Sequence, residues 1–191
     1  MLKDIIPSKV RRKILELFFQ NIEDSFYLRE IVRKVGEEVN AVKRELDILH
    51  GAKVLLRERR MNKVFYTLNR SFEFFDEFLR IFTKMSSLAQ LVNKNLSKLG
   101  KIRYISISTK YSRKQSIKED EIYVLFVGIV VVPEVDSIMN EARKSFGWDI
   151  NYTVMTDDEL KFRKKNNDPF IWKFLRQPKV MLVGQEEDLV K

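Results

Sequence analysis

The sequence predicts a chain of mixed α+β and α/β class, divided into three segments at residues 1–70, 71–99 and 100–191. The first segment holds three apolar patterns of helical period and then two short runs typical of β-strands. The second holds one long helical pattern, and the third alternates strand-like runs with amphipathic helices, which is typical of an α/β layer fold. The order of these patterns predicts two folded domains joined by a helix.

The composition of the 191 residues indicates ordered domains, since 45% are hydrophobic, 12% are aromatic, and only 6 are glycine and 4 proline. The absence of cysteine excludes disulfides, thiolate zinc sites and cysteine nucleophiles, and a single histidine, His50, excludes a histidine-rich metal cluster. The longest apolar run, residues 122–133, is shorter than the ~18–20 residues that span a bilayer. We expect a cytoplasmic protein with no membrane partner and no cofactor.

The net charge of +9 is unevenly distributed along the chain. Residues 1–70 hold 16 lysines and arginines against 10 acidic residues, a balance of +6. Residues 71–100 contribute +1, and residues 101–191 contribute +2. The first third of the chain is therefore where a polyanion is expected to bind.

Two helices are predicted at the start of the first segment. Pro7 or Ser8 opens the first helix, because proline suits the first helical position and serine caps it. Its apolar residues recur at helical spacing at Val10, Ile14, Leu17 and Phe18. The second helix runs over about residues 27–35, and Gly36 ends it.

A third helix opens at Glu37 and Glu38, whose negative charge suits the positive end of the helix dipole, and stops at Gly51. Its predicted inner face consists of Val39, Val42, Leu46 and Leu49. Its outward side then consists of Asn40, Ala41, Lys43, Arg44 and Asp47. Asparagine and arginine make bidentate contacts with adenine and guanine, and lysine reaches a guanine or a phosphate, so this side suits DNA bases.

Two β-strands are predicted at residues 54–59 and 63–68, on either side of the turn-like sequence Arg60-Met61-Asn62. The basic residues around this hairpin are Arg57, Arg59, Arg60 and Lys63. They suit contacts with phosphates or with an adjacent minor groove, and the basic run at residues 11–13 suits a clamp on the DNA backbone. The alternative for each residue is an ordinary solvated charge, since acidic residues interrupt the basic surface at Glu38, Glu45 and Asp47.

These features lie in the stretch YLREIVRKVGEEVNAVKRELDILHGAKVLLRERRMNKVFYTLN. It resembles the winged helix-turn-helix repressors of the ArsR-like type over about residues 8–98, by a recognition helix that ends in glycine, an apolar strand, a basic turn and the strand Tyr66-Thr67-Leu68-Asn69. The resemblance implies a duplex-DNA-binding domain over residues 1–70. The predicted DNA-binding residues are Asn40, Lys43, Arg44, Arg57, Arg59, Arg60 and Lys63. The cysteines with which some such repressors sense metals are absent, so metal sensing is not implied.

The second segment, residues 71–99, predicts one long linking helix. Its apolar stripe begins with Phe72, Phe75, Phe78, Leu79 and Phe82 and continues with Leu88, Leu91, Val92 and Leu96. We expect a domain of ~70 residues to be too small to cover this stripe. The stripe therefore predicts a homodimer in which the helix contributes to the interface, and the alternative is that it packs on the C-terminal domain of its own chain.

The third segment predicts strands at residues 103–107, 122–132, 149–155 and 179–183. An amphipathic helix is predicted at residues 134–146, and Thr156 opens another in a capping-box pattern. The stretches YISISTKYSRKQSIKEDEIYVLFVG and DPFIWKFLRQPKVMLVG resemble the minimal nucleotidyltransferase domain that some prokaryotic regulators have behind a winged helix. The resemblance implies a nucleotidyltransferase-like α/β domain over residues 100–191.

The active-site residues of the nucleotidyltransferase family are replaced in this chain. Ser108-Thr109 stands where the resemblance requires Gly-Ser, which grips a triphosphate. Glu121 and Tyr123 stand where it requires the two aspartates that hold magnesium. The third carboxylate is replaced by Asn151 or Thr153. Two acidic oxygens on one strand face are what Mg²⁺ and phosphates require, so we predict that the domain is not an enzyme.

A basic loop follows the first strand of this domain and suits an unidentified small anionic ligand. The residues proposed for that site are Lys110, Arg113 and Lys114, with Lys118 further along. The alternative is a solvated loop. The acidic run at residues 157–159 resembles a metal site, but its place at a helix start favours helix capping.

Together these features predict a sequence-specific, duplex-DNA-binding transcriptional regulator that forms a homodimer. Its C-terminal pseudo-nucleotidyltransferase domain would serve assembly or would sense a ligand or a partner protein. One alternative is an active nucleotidyltransferase that modifies a nucleotide, a protein or RNA. A second is an antitoxin-like interaction protein, since minimal nucleotidyltransferase domains also occur in toxin–antitoxin pairs.

Overall fold

The structure of the protein is a computed structural model that describes residues 2–146 and 149–191. The chain forms two compact units, residues 1–82 and residues 83–191, and each contains one β-sheet with helices. The mixed α and β class predicted from the sequence is confirmed at this level. In the described ranges, no helix is both long enough and apolar enough to cross a membrane.

The first unit combines short helices with a three-stranded antiparallel sheet. In chain order its elements are α1 (Leu2–Ile5), α2 (Lys9–Gln20), β1 (Ser25–Tyr27), α3 (Leu28–Val35), α4 (Val39–Gly51), β2 (Leu55–Arg60), β3 (Lys63–Leu68) and α5 (Phe75–Lys84). The strand order is β1-β3-β2. In the register of the sheet, Tyr66 of β3 lies between Phe26 of β1 and Arg57 of β2, and Arg60 pairs with Lys63 at the hairpin end.

The ends of the helices follow from capping groups close to them in sequence. Ser8 accepts a hydrogen bond from the backbone N–H of Arg11 and starts α2, as predicted. Gly36 ends α3 with a φ of 62°, a left-handed conformation that favours glycine. Glu38 then accepts hydrogen bonds from the N–H groups of Asn40 and Ala41 at the start of α4. The predicted order of three helices and a hairpin is present.

One residue of the predicted inner face of α4 is misplaced. Val42, Leu46 and Leu49 are buried, but Val39 is 44% exposed. Val39 is the first residue of α4, directly after the capping Glu38, and its side chain lies towards solvent there. The inner face is completed by Glu45, a carboxylate that is 5% exposed and whose burial the apolar pattern could not predict.

The prediction of a single helix over residues 71–99 is wrong. The structure has three pieces there: α5, a second helix α6 (Ser87–Lys94), and a 3-10 turn at Leu96–Lys98. The break between α5 and α6 has a local cause, because the Ser86 side chain accepts a hydrogen bond from the N–H of Ala89 and caps α6. The division between the two units falls between Phe82 and Thr83, within the predicted linking helix.

The aromatic stripe of α5 is partly covered within the first unit, since Phe75, Leu79 and Phe82 are buried and Phe72 and Phe78 are half-buried. Its partner is Phe19 of α2, which is 2% exposed. The ring centroid of Phe19 lies 5.9 Å from that of Phe75, 5.8 Å from Phe78 and 5.0 Å from Phe82. The first unit therefore covers more of the stripe than the sequence predicts, and the homodimer stays a prediction.

The second unit is a three-layer arrangement of helices on both faces of a four-stranded sheet. After α6 its elements are β4 (Gly100–Ser108), α7 (Thr109–Ser112), β5 (Val124–Val130), α8 (Val132–Phe146), β6 (Tyr152–Met155), α9 (Asp157–Lys165), α10 (Pro169–Leu175), β7 (Lys179–Val183) and α11 (Glu186–Val190). The strand order is β6-β5-β4-β7, with β5 and β6 parallel and the other neighbours antiparallel. All four predicted strands are present, the last with the predicted ends and the other three with shifted ends.

Alternate residues of the central strands face two separate apolar clusters. Ile105 of β4 and Phe126 of β5 pack with α6 and α8 on one face. Leu125 and Val127 of β5 pack with α9, α10 and α11 on the other. Burial on both faces explains why residues 122–127 form an uninterrupted apolar run in the sequence.

Candidate nucleic-acid interface

The outward side of α4 is the first part of the candidate interface. Asn40, Lys43, Arg44 and Asp47 are exposed, while the opposite side of the helix is buried against the first unit. Asn40 and Arg44 are four residues apart, so they lie one above the other on the helix surface. The side chain of Lys43 has no ion-pair partner among the described residues. The helix therefore presents one amide and two cations to solvent.

An internal ion pair fixes α4 against α2. Glu45 accepts a hydrogen bond of 2.7 Å from the Ser8 hydroxyl and another of 2.7 Å from Nε of Arg11. Burial acts to raise the pKa of Glu45, but the bonds from Ser8 and Arg11 together hold that pKa below its ordinary value. Glu45 thus faces the interior and does not interrupt the exposed basic surface.

The basic run near the start of α2 is used inside the protein. Arg11 binds Glu45, and Lys13 donates to the carbonyl of Val35 at 2.7 Å and to Glu37 at 2.6 Å. Arg12 donates to the carbonyl of Pro7 at 2.9 Å. These contacts join α2 to α4, to the turn after α3 and to the segment before α2, and the predicted clamp on a DNA backbone gains no support from them.

The basic residues of the hairpin formed by β2 and β3 are all exposed, but their charges are not equally available. Arg57 lies 3.8 Å from Asp47 of α4, and Arg60 lies 2.7 Å from Glu58. The Arg60 guanidinium also lies 5.3 Å from the ring centroid of Phe65. Arg59 has no side-chain partner in the described parts of the chain. Arg59 is therefore the hairpin arginine with the most available charge.

A groove of about 510 Å³ joins the helix to the hairpin. Its lining residues are Tyr27, Leu28, Arg29, Lys43, Asn62, Lys63, Val64 and Tyr66. Three of them are cations, and the described lining includes no acid. The ammonium of Lys63 lies 4.1 Å from the ring centroid of Tyr27, a cation–π contact that holds it at the groove.

Arg29 is a groove residue that no sequence motif indicates. It is the second residue of α3, and neither motif nor spacing relates it to Lys43 or Lys63. The three cations come together only because the start of α3, the outward side of α4 and the start of β3 meet around one groove. In the sequence, only the positive charge of Arg29 and its place near a helix start indicate a binding role.

Met61 forms the tip of the hairpin. Its side chain is 95% exposed, and its φ of 52° is the left-handed conformation that L-residues other than glycine adopt at a cost. The neighbouring Asn62 lines the groove. The hairpin tip is therefore exposed and adds nothing to the buried core.

In the second unit, the Ser108–Thr109 segment predicted to stand at a phosphate-binding turn is hydrogen-bonded within the protein. The backbone N–H of Ser108 donates to the Tyr123 carbonyl at 2.7 Å, and that of Thr109 donates to the Pro178 carbonyl at 3.0 Å. The N–H of Lys110 donates to the Ser108 hydroxyl at 3.3 Å. These three donors are therefore already occupied.

The two side chains predicted at the aspartate positions also have internal partners. Glu121 lies 2.9 Å from the ammonium of Lys110 and 3.5 Å from that of Lys173, and the hydrogen bond from Lys110 lowers the pKa of Glu121 to about 2. The Tyr123 hydroxyl donates to the Gln115 carbonyl at 2.9 Å. Among residues 2–146 and 149–191 there is no group of three or more histidine or acidic side chains that could hold a metal ion.

The remaining residues predicted to bind an anionic ligand have different environments. Lys110 is paired with Glu121, Arg113 is half-buried, and Lys114 is exposed at a φ of 50°. The acidic run at residues 157–159 starts α9, where Thr156 accepts a hydrogen bond of 3.1 Å from the N–H of Glu159. Helix capping is thus the observed use of that motif, as the sequence favoured.

No protein-family model, curated protein or solved structure matches this chain. The functional assignment therefore depends on the residues and geometry described above.

Proposed function

We propose that the protein is a transcriptional regulator of the ArsR-like type whose first unit is a winged helix-turn-helix that binds duplex DNA sequence-specifically. In this assignment α3 and α4 are the helix-turn-helix, joined by the turn at Gly36, and α4 is the recognition helix. The hairpin of β2 and β3 is the wing. The order of two helices joined by a turn and followed by a hairpin supports this assignment.

The single observation that supports DNA binding best is the position of Lys43. This lysine lies on the exposed side of α4 and also lines the groove whose other cations are Arg29 and Lys63. A continuous cationic surface therefore extends from the helix to the hairpin. Such a surface suits the phosphates on one side of a major groove, while the helix faces the bases.

Asn40 and Arg44 are the residues proposed to read sequence. They lie one helical turn apart near the start of α4, and both side chains are exposed. An amide makes a bidentate contact with adenine and a guanidinium with guanine, each worth about 1–3 kcal/mol of discrimination. Lys43, Arg57, Arg59, Arg60 and Lys63 are proposed to hold the DNA backbone.

The second unit is proposed to be a pseudo-nucleotidyltransferase domain that serves assembly or senses a small anion or a partner protein. Lys110 provides positive charge against Glu121, at the position where the resemblance requires a metal-binding aspartate. Tyr123 at the next acidic position is a poor magnesium ligand. Incubation of the chain with labelled nucleoside triphosphates and Mg²⁺ or Mn²⁺ tests this assignment, and transfer of label would overturn it.

A selection experiment tests DNA recognition. The full chain is used to enrich bound sequences from random duplex DNA, and Asn40→Ala and Arg44→Ala are carried through the same selection. We expect a defined sequence for the wild type and a lost preference at particular base pairs for each variant. Arg80→Ala, an exposed arginine on α5, is the matched control and should leave the preference unchanged. A pool without enrichment would refute sequence-specific binding, and equal losses across all sequences would assign both residues to phosphates.

A further inference from the structure

A second positively charged surface lies in the second unit, on the face of the sheet covered by α9, α10 and α11. These helices leave an open cleft of about 420 Å³. Its lining residues are Lys161, Lys164, Lys165, Trp172, Asp188 and Lys191. Four ammonium groups thus converge with one carboxylate and one indole ring, and no residue of this cleft belongs to the proposed duplex interface.

Two of these lysines can contact a ligand without breaking a strong internal bond. Lys161 lies 3.8 Å from Asp158, but both side chains are more than two-thirds exposed, so the pair contributes little. Lys165 is exposed and has no ion-pair partner in the described ranges. Lys164 differs, because it donates to the Leu189 carbonyl at 3.0 Å and burial lowers its pKa.

An exposed aromatic ring stands beside the two available lysines. Phe162 is 68% exposed on α9, next to Lys161 and one turn before Lys165. The cleft itself contains Trp172, whose indole N–H donates to the Lys164 carbonyl at 3.3 Å. The exposed Phe162 ring and the ammonium groups of Lys161 and Lys165 therefore lie on the same helix, next to the cleft that contains Trp172.

We propose that this surface binds single-stranded nucleic acid, with phosphates on Lys161 and Lys165 and a base stacked on Phe162. Only an unpaired base offers its face to an aromatic side chain, and stacking between a base and a ring tolerates any sequence. A small nucleotide fits less well, because such ligands are held in concave pockets that bury most of their surface. An anionic membrane surface fits less well, because interfacial helices bury a broad apolar face, and among the residues of α9, α10 and α11 only Phe162 is an exposed large apolar side chain.

The test uses the full chain and fluorescein-labelled oligothymidylate or oligouridylate of about 12 nucleotides. Fluorescence anisotropy at low salt measures the dissociation constant. We expect Phe162→Ala to weaken binding about tenfold and Phe162→Trp to preserve it, because base stacking requires a ring. Phe162→Leu, which keeps apolar area without a ring, should resemble the alanine variant. The two oligomers distinguish a preference for DNA from one for RNA.

Matched control variants test whether the oligomers bind to this surface and not to another part of the chain. Ile129→Ala removes another exposed apolar side chain, one that is 72% exposed on β5, and should not change binding of the oligomers. The double variant Lys161→Ala/Lys165→Ala should weaken both the oligomers and a heparin fragment, whereas Phe162→Ala should leave heparin binding unchanged. Lys43→Ala/Arg59→Ala should retain binding of the oligomers even where duplex binding is lost, so the two surfaces fail independently.

Three results would overturn the proposal. The first is a wild-type chain that does not bind either oligomer. The second is an equal effect of Phe162→Ala and Ile129→Ala, which would remove the stacking contact. The third is a combination of two results: Lys161→Ala/Lys165→Ala weakens binding equally for heparin, anionic vesicles and the oligomers, and Phe162→Ala has no effect. The surface would then be a general binder of anions.

Discussion

The ammonium nitrogen of Lys110 lies 2.9 Å from Oε1 of Glu121, a carboxylate that is only 8% exposed. The ammonium of Lys173 lies 3.5 Å from the same oxygen, and the backbone N–H of Lys118 donates to the other oxygen at 3.1 Å. Positive charge and donors therefore surround this carboxylate from α7, from the loop before β5 and from α10. The hydrogen bond from Lys110 is the largest cause of its low pKa, and burial opposes it.

The stability of the fold should depend on the ionisation of Glu121. Its pKa is about 2 in the folded chain against an ordinary 4.5, so its contribution is complete above 4.5 and is lost as the pH falls towards 2. We expect Glu121→Gln to lower the free energy of unfolding at neutral pH, with a difference from wild type that shrinks below pH 4.5. Urea denaturation across that range measures it, with Glu119→Gln as the exposed control. A difference that is constant with pH would contradict the assignment.

The ion pair between Glu45 and Arg11 should contribute to the stability of the first unit. Glu45→Ala removes a 5% exposed carboxylate and leaves the Arg11 side chain and the Ser8 hydroxyl without that acceptor. We expect the free energy of unfolding to fall by about 2 kcal/mol, less than a fully buried pair, since Arg11 is partly exposed. Asp47→Ala, whose 3.8 Å pair with Arg57 is exposed, should change it by less than about 0.5 kcal/mol. Equal losses for the two variants would refute this difference.

The hairpin arginines should differ in their effects on duplex binding. Arg59→Ala should weaken binding to all sequences and flatten the slope of log affinity against log salt by up to about 0.9. Arg60→Ala should have a smaller effect, because Glu58 already pairs with Arg60 at 2.7 Å. Titration of a labelled duplex at several salt concentrations measures both slopes, with Arg80→Ala as a control. An unchanged slope for Arg59→Ala would remove the hairpin from the interface.

The predicted homodimer should depend on exposed apolar residues of the α5 region and not on its buried stripe. Phe74 and Ile81 are 51% and 40% exposed and lie two turns apart, whereas Phe78 packs on Phe19. We expect Phe74→Glu/Ile81→Glu to yield a folded monomer and Phe78→Glu to destabilise the chain. Light scattering with circular dichroism measures both. A wild-type chain that is monomeric at micromolar concentration would disprove the dimer.

Local signals predicted the ends of the helices well. Ser8, Gly36 and Thr156 act on groups within three or four residues of themselves, so their capping is visible in the sequence. The break at Ser86 obeys the same chemistry, but a continuous apolar stripe on both sides of it dominated the interpretation. The prediction of a single helix was wrong because apolar residues keep the same helical spacing on both sides of a short break in the helix.

Relationships between distant residues could not be predicted. Strand β1 has only three residues and exists through its pairing with β3, where Phe26 lies opposite Tyr66. The groove depends likewise on Arg29, Lys43 and Lys63, which are on three different elements. The burial of Glu45 was hidden because its partner Arg11 is 34 residues away. Composition indicated a basic first unit, but only the fold distinguishes charges used internally from those left exposed.

The Ser8 hydroxyl has two functions that cannot be varied independently. Its oxygen accepts from the N–H of Arg11, which starts α2, while its proton goes to Glu45 in the middle of α4. Replacements of Ser8 and Glu45 should therefore be non-additive, with a double variant that loses less than the two single losses combined. One hydroxyl group therefore links the start of α2 to the packing of α4. We expect the two helices to fold and unfold together as one cooperative element.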